Sequence, residues 1–390
     1  MVILHIAPNA PYNEGWGYQD NILPKYHAKL GHDVTLVITN TTHKDGKVVE
    51  TKCEDYISDN GFRVIRRPTV KKYPGKIGGM LKAMQVEDLL EEIKPDFVFF
   101  HGLVSNTILQ VVKYKKNSNK KVTIVMDNHL DYQIGNLHEK GFYNFLLRNF
   151  RRMIYKRSDK YVSRVYGVTP WRVEYAHKIF GVPMNKLDTL IMGADDDEVH
   201  FEKAGEIRKA IRAEYQISDE DFLLVTGGKL DKNKGVLPLM EAVCNTQGVK
   251  LLIFGKVLED IKEEFDRILQ STDNIIYIGW IDSNKVYDYF FAADLAFFPG
   301  QHSVLWEQAC ASKLPSVFRQ WPGMDHVDNG GNSAFVSEIS KDTIRDEIEK
   351  LKWTDEYKEM LKQAKSEKTD IYLYSAIAKK SLEACETEGQ

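Results

Sequence analysis

Glu307 follows the apolar run Leu295–Phe298, which stops at the turn residues Pro299-Gly300. Between them His302-Ser303 precede Val304, Leu305, Ala309 and Leu314, spaced for a helix with Ser303 as its N-cap. A strand, a tight turn and a helix leave unpaired N–H groups and a positive helix end at the carboxyl edge of a parallel sheet. Phosphates bind there in open α/β sheets. A carboxylate one turn further in can accept hydrogen bonds from paired hydroxyls such as those of a ribose, so the stretch reads as a nucleotide-sugar site.

Other loops carry related chemistry. Gly227-Gly228-Lys229-Leu230-Asp231-Lys232-Asn233-Lys234-Gly235 places glycines and three lysines between a strand and a helix. That composition suits a diphosphate or a solvated basic turn, and it lacks the spacing of a Walker loop. Gly255 ends the next strand and can admit a base or ribose. His101 and Asp127-Asn128-His129 stand directly behind apolar runs, where a histidine either orders a loop or does acid–base work. Asp127 beside His129 favours the second role there. Gly15-x-Gly17 also follows a strand. The dinucleotide fingerprint fails, because Asp20 stands where its third glycine belongs and the second strand lacks the ribose-binding acid. Asp325-His326 are candidate metal or acid–base residues, or they order their loop, with no third ligand at an obvious spacing.

The elements that must position these loops alternate. Strands are expected at Val2–Ala7, Asp33–Ile38, Phe62–Arg67, Asp96–Phe100, Val122–Met126, Val165–Val168 and Thr189–Met192. Helices are expected among them at Gly17–Leu30, Gly79–Ile93, Asn106–Lys115 and Tyr143–Tyr155. A second series runs Phe222–Gly227, Lys250–Gly255, Ile275–Trp280, Leu295–Phe298 and Pro315–Phe318. Helical patterns at Leu237–Val243, Glu259–Gln270, Ser283–Phe290 and Ser303–Ser312 lie between those strands. Such alternation gives parallel, right-handed βαβ units, hence an α/β chain of two Rossmann-like domains facing each other across a cleft. The expected division is 1–196, 197–370 and a terminal helical segment 371–390.

A chain of 390 residues with 43% hydrophobic and 28% charged residues is of globular composition. No apolar run approaches the roughly 20 residues of a membrane span. The start MVILHIAPNAP is too short and uncharged for a signal peptide. Four scattered cysteines suggest reduced, buried thiols and a cytoplasmic location. Lys and Arg exceed Asp and Glu by eight over residues 1–196 and fall short by eleven over the rest. A basic first half suits an anionic partner: a phosphate-bearing acceptor, an anionic membrane or nucleic acid.

Together the loops resemble the retaining glycosyltransferase family 4, of GT-B fold. The pieces are the N-terminal glycine loop, Gly31-His32-Asp33-Val34-Thr35, His129, and Gly193-Ala194-Asp195 in place of N-G-x-D. Gly228-Lys229-Leu230 with Lys234-Gly235 replace G-R-L-x-x-x-K-G, Gly255 closes its strand, and Glu307 sits on the carboxylate helix. The segment Tyr372–Ala384 resembles the family's last helix, which crosses back onto the first domain. The resemblance implies that Lys229 and Lys234 neutralise the donor diphosphate and that Glu307 holds the ribose hydroxyls. It implies amides near Val304 and Leu305 on the phosphate, His129 beside the transferring sugar, and Gly15-Trp16-Gly17 near the phosphates or acceptor. Catalysis would then rest on positioning and on stabilising the leaving diphosphate, with no metal and no cofactor beyond the nucleotide-sugar substrate.

The chain departs from the family pattern. Its E-x7-E signature would put a first glutamate at Pro299, so Gln301, His302 and Ser303 occupy the sugar-contacting region. Lys229 replaces an arginine and loses its planar fork. HSVLWEQA followed by W-P-G-M-D-H-V-D-x-G-G-N resembles a subgroup of bacterial surface-polysaccharide assembly. The implied function is transfer of a sugar, from UDP as the first expectation, to a saccharide or lipid-linked acceptor in capsule or exopolysaccharide synthesis. The alternatives are a non-catalytic nucleotide-sugar-binding subunit or a GT-B epimerase.

Two basic stretches bear on partners. Arg148, Arg151, Arg152, Lys156 and Arg157 lie on an expected helix with Phe145, Leu146 and Phe150, and Arg66, Arg67, Lys71, Lys72 and Lys76 form the other. The helix either meets the anionic inner face of a membrane or simply turns an apolar face to the core. No nucleic-acid module is present, so nucleic acid is not an expected partner.

Overall fold

The computed structural model describes residues 1–387 apart from Asp45, Lys72 and Asn245, and the backbone alone of Lys76, Ile77, Glu386 and Thr387. The chain divides into two units, Met1–Ile191 with Ile377–Gln390, and Met192–Ala376.

The first unit is built on an eight-stranded sheet. Its order is Leu187–Thr189, Arg164–Gly167, Thr123–Asn128, Phe97–Phe100, Val2–Ala7, Asp33–Thr39, Arg63–Arg67 and Asp55–Ile57. All neighbours pair in parallel except the last strand, an antiparallel edge. The inner strands are buried on both faces, which is why they read as continuous apolar runs. Leu4, Ile6, Val98, Phe100, Ile124 and Met126 line one side of this sheet's core.

The second unit carries a six-stranded parallel sheet in the order Ile275–Gly279, Val249–Val257, Phe222–Leu230, Leu295–Phe298, Ser316–Arg319, Ser333–Val336. Numbered along the unit this is 3-2-1-4-5-6, the doubly wound order, whose direction reverses between Phe222–Leu230 and Leu295–Phe298. The first unit reverses in the same way between Val2–Ala7 and Phe97–Phe100.

Asp294 anchors the second sheet below that reversal. Its carboxylate receives Arg208 at 2.7 Å and Arg212 at 3.2 Å, and accepts the Leu223 N–H at 2.8 Å. Arg212 donates onward to the Ser218 and Asp221 carbonyls.

Several expectations need correction. The helix expected over Gly79–Ile93 is two, Gly75–Leu81 and Glu87–Ile93, separated by the short strand Ala83–Met84 that pairs with Thr69–Val70. The strand from Phe222 continues to Leu230 instead of ending at Gly227. Cys53 is exposed, and of the four thiols Cys310 is the buried one. In the basic stretch, Arg66 is buried and donates to the Tyr12 and Thr41 carbonyls, while Arg67 pairs with Asp88. Lys72 lies outside the described residues. Among the described residues, no helix is long and apolar enough to cross a membrane.

Candidate functional site

In the second unit the expected donor residues gather at the sheet's reversal point, where open α/β sheets bind ligands. Two turns are knitted together there. Gln301 N–H donates to the Asn233 carbonyl at 3.0 Å, and Lys234 Nζ donates to the Gln301 carbonyl at 2.8 Å and the His302 carbonyl at 3.4 Å. Gly300 allows this approach, since a Cβ there would fall 2.2 Å from the Lys234 backbone. Gly228 brings the first strand's end against Leu305. Burial pulls the Lys234 amine down to about 8, with Asp231 acting weakly in the other direction.

The helix is shorter than expected, Leu305–Ala311, and its N-cap is Val304, whose side chain cannot accept a hydrogen bond. Ser303 is therefore not the cap. Its carbonyl instead accepts the Trp306 N–H at 3.0 Å. Gly255, at φ +112, has a structural reason beside any ligand: a Cβ there would sit 1.9 Å from the Gly228 carbonyl oxygen on the paired strand. Lys229 is exposed on the last strand residues and belongs to the strand, not to a free loop.

Glu307 is fully buried within the helix. Its Oε1 is 2.8 Å from His302 Nε2 and 2.8 Å from His326 Nε2. Among the described residues its Oε2 is buried without a hydrogen-bond partner. Burial pushes this carboxyl up, but the imidazoles of His302 and His326 more than offset it and hold the group at about 2. A fixed carboxylate with one uncommitted oxygen keeps unused capacity to accept hydrogen bonds. The same three side chains bring potential metal-ligating atoms within 4.8 Å of one another.

His326 is the residue that sequence spacing left undecided between loop ordering and chemistry. It comes from beyond the next strand, on the turn-rich loop whose Trp321 Nε1 also donates to the Gly300 carbonyl. The buried Tyr372 hydroxyl fixes it by donating to its carbonyl at 2.7 Å. The pairing supplies the partner for Asp325-His326 that linear spacing could not reveal.

In the first unit, Asp127 organises the strand ends. Its Oδ1 accepts the Gly102 N–H, and its Oδ2 lies 3.0 Å from His101 Nδ1 and 3.2 Å from His129 Nε2. Burial opposes its charge, yet His129 and His101 keep its pKa well below the usual carboxylate range. With Nε2 turned to Asp127, the His129 side chain is 40% exposed. Gly15, Trp16 and Gly17 lie in the loop after the first strand. Trp16 stacks on His43 at 5.2 Å, and Asn13 ties the loop to that residue's backbone on both sides.

Comparison with known proteins bears on this arrangement. Residues 23–198 match the model for glycosyltransferase family 4, and residues 207–368 that for glycosyl transferases group 1. A processive diacylglycerol alpha-glucosyltransferase of Acholeplasma laidlawii is 23% identical over 51% of this chain and 64% of its own length. An uncharacterized 41.2 kDa protein in the cps region of Klebsiella pneumoniae is 23% identical over 64% of each chain. The chain thus spans a little under two thirds of these relatives. A glycosyltransferase from Rickettsia africae superposes with a TM-score of 0.71 at 14% identity, covering 99% of this chain and 97% of that one. HepE of Anabaena, in complex with UDP-glucose, gives 0.64 at 13% identity over 99% of each. The two sheets, their reversal points and the two family matches covering most of the sequence agree: this chain belongs to the group 1, family 4 glycosyltransferases, with two Rossmann-like domains of the GT-B class.

Proposed function

We propose that the protein is a retaining glycosyltransferase that moves a sugar from a nucleotide-sugar donor, a UDP-sugar first, to a saccharide or lipid-linked acceptor in surface-polysaccharide synthesis. The observation that carries this reading is the buried Glu307 carboxylate, oriented by two imidazoles at the reversal point of the second sheet, with Lys234 on the adjoining turn. Glu307 holds the ribose, and Lys229 and Lys234 meet the diphosphate. Amides near Val304 and Leu305 complete the phosphate contacts. His302 and Ser303 stand where the donor sugar is read, and His129 and the Gly15–Gly17 loop serve the reacting sugar and acceptor.

In this reading the bond from anomeric carbon to diphosphate oxygen breaks with its electron pair going to the diphosphate. The acceptor hydroxyl bonds to the same face, and its proton passes to the departing diphosphate. The protein contributes position and stabilisation of the leaving charge. Lysines take the role a cation would have, so turnover is expected to survive a chelator. A relative in a cps region, a relative that is a diacylglycerol alpha-glucosyltransferase, and a neighbour bound to UDP-glucose support this choice of chemistry. A thermal-shift panel of nucleotide sugars tests it: stabilisation by UDP-sugars is expected, and no shift with any donor would overturn it.

The Lys234 amine gives a pH signature. Its protonated form is the one that attracts phosphate, and burial leaves that form dominant only below about 8. Affinity for UDP is therefore expected to hold below that pH and to weaken above it, by up to about tenfold per unit. Calorimetry in buffers of different ionisation enthalpy should show proton uptake on binding above that point. The Lys234→Met variant should lose this dependence.

Membrane contact, if the acceptor is lipid-linked, falls to the helix Phe142–Ser158. Its core face carries Ile154, Tyr155 and Ser158. Arg148, Arg151 and Arg152 are bonded to Leu137, Asn106 and the Lys178–Ile179 carbonyls. What faces outward is mixed: Phe142 is 77% exposed and Phe145 52%, with Tyr143, Leu146 and Met153 beside them, and Asn149, Lys156 and Arg157 are exposed as well. We expect vesicle binding that depends on these rings more than on salt. Phe142→Ala with Phe145→Ala should abolish co-sedimentation with anionic vesicles, and undiminished binding would remove the helix from the account.

A further inference from the structure

A row of hydrogen-bonded imidazoles runs through the first unit, and glycosyl transfer as described above makes no use of it. His27 lies on the helix Gln19–Lys29, His5 in the middle of the first strand, and His101 at the end of the neighbouring strand. His27 Nδ1 is 2.9 Å from His5 Nε2, and His5 Nδ1 is 3.1 Å from His101 Nε2. His5 and His27 are wholly buried and His101 is 6% exposed, so every ring nitrogen must find a partner within the protein.

The two ends of the row decide where its protons lie. At one end, Ser381 Oγ is 2.7 Å from the Ala378 carbonyl, a contact that uses the hydroxyl proton. His27 Nε2 faces that oxygen at 2.8 Å and the Ala378 carbonyl itself at 3.3 Å, so it must carry a proton and donate. A neutral His27 then accepts at Nδ1 from His5 Nε2–H, and His5 accepts at Nδ1 from His101 Nε2–H. At the other end, His101 Nδ1 faces Asp127 Oδ2 at 3.0 Å and Asp20 Oδ1 at 3.1 Å, both acceptors. That nitrogen is protonated too. His101 thus carries protons on both nitrogens. The reversed, all-neutral row would require Ser381 to turn its hydroxyl toward His27. It would also aim the Ala378 carbonyl at a bare ring nitrogen and leave two carboxylates around an uncharged ring.

We propose that His27 and His5 are positioning residues that fix His101 as a standing imidazolium, and that this cation neutralises Asp127, the carboxylate that also orients His129. His129 Nε2 shares Asp127 Oδ2 with His101. The charge of Asp127 is therefore divided between two rings. The proposal concerns protons within the first unit and stands apart from the donor assignment. The groups facing the row are Asp20 and His27 from the first helix, His5 from the first strand, Asp127 from its own strand, His129 from the loop, and His32 at a distance. Burial drives His5 well below the ordinary histidine value and His27 down to about 3, consistent with neutral rings. Burial acts against His101 as well, but Asp20 and Asp127 prevail and its pKa is raised.

The test is a nitrogen-detected NMR titration of the full chain labelled at histidine, near neutral pH. One ring protonated on both nitrogens, assigned to His101, and Nε2–H tautomers for His5 and His27 are expected. A neutral His101, or His5 with its proton on Nδ1, would overturn the proposal. In His101→Gln, a neutral amide replaces the cation, so the Asp127 carboxyl, followed by carbon-detected NMR, should protonate at a higher pH than in the wild type. An unchanged Asp127 midpoint would mean that His101 carries no charge. Ser381→Ala leaves the Ala378 carbonyl as acceptor and denies the reversed row its donor, so His101 should stay protonated. Its deprotonation in that variant would equally refute the assignment.

Discussion

Replacing Glu307 with alanine is expected to destabilise the second unit by about 3–5 kcal/mol, the cost of stranding buried polar partners. The rings of His302 and His326 are 5% and 6% exposed and direct Nε2 at the same carboxylate oxygen. Alanine removes the acceptor and leaves two N–H groups facing a cavity. Against a total stability of about 5–15 kcal/mol for a typical domain, this is a large fraction. Glu307→Gln keeps the shape and one carbonyl oxygen, so it should fold better while still losing the charge that grips paired hydroxyls. Denaturant melts of both variants, alongside UDP titration, separate the two effects. The pH dependence has a definite sign. A carboxyl held at about 2, below its ordinary 4.5, adds stability that is complete above 4.5 and is lost as pH falls through about 2.

Asp294→Ala should cost a similar amount, about 3–5 kcal/mol, by a different route. Its carboxylate is the counter-charge for Arg212, which is 3% exposed, and shares in binding Arg208. It also accepts the Leu223 N–H at the start of the strand beside the reversal point. Loss of the acid leaves a buried guanidinium with carbonyl partners and the exposed Asp219 at 3.8 Å, and one strand amide unpaired. Asp294→Asn should recover the amide bond without the charge and fall between wild type and alanine. A urea melt that showed no change in Asp294→Ala would contradict the burial of this pair.

The elements that position the site were largely legible. Parallel strands buried on both faces appear as short apolar runs, and the glycines and prolines after them mark the carboxyl ends where ligands bind. The Glu307 helix and the Lys234 turn both follow such runs. Contacts between loops distant in sequence were not legible. His326 reaches Glu307 from beyond the next strand, a relation that periodicity cannot express. The Gly79–Ile93 pattern is helical in composition, yet its middle pairs as a strand with Thr69–Val70, so tertiary pairing overrode local preference. The basic helix divides its charges: Arg148, Arg151 and Arg152 are bonded within the fold, while Lys156 and Arg157 are exposed. His5 interrupts the apolar run VILHIA, and a polar ring inside a buried strand requires buried partners.

The central claim is retaining transfer from a nucleotide sugar held by Glu307 and Lys234. It is tested most directly by following the protein with UDP-sugars by proton NMR, in the presence of saccharide or lipid-linked acceptors. Release of UDP is expected, with a product whose new linkage keeps the donor's anomeric configuration, and both are lost in Glu307→Gln and Lys234→Met. A product of inverted configuration, or turnover untouched by those substitutions, would contradict it.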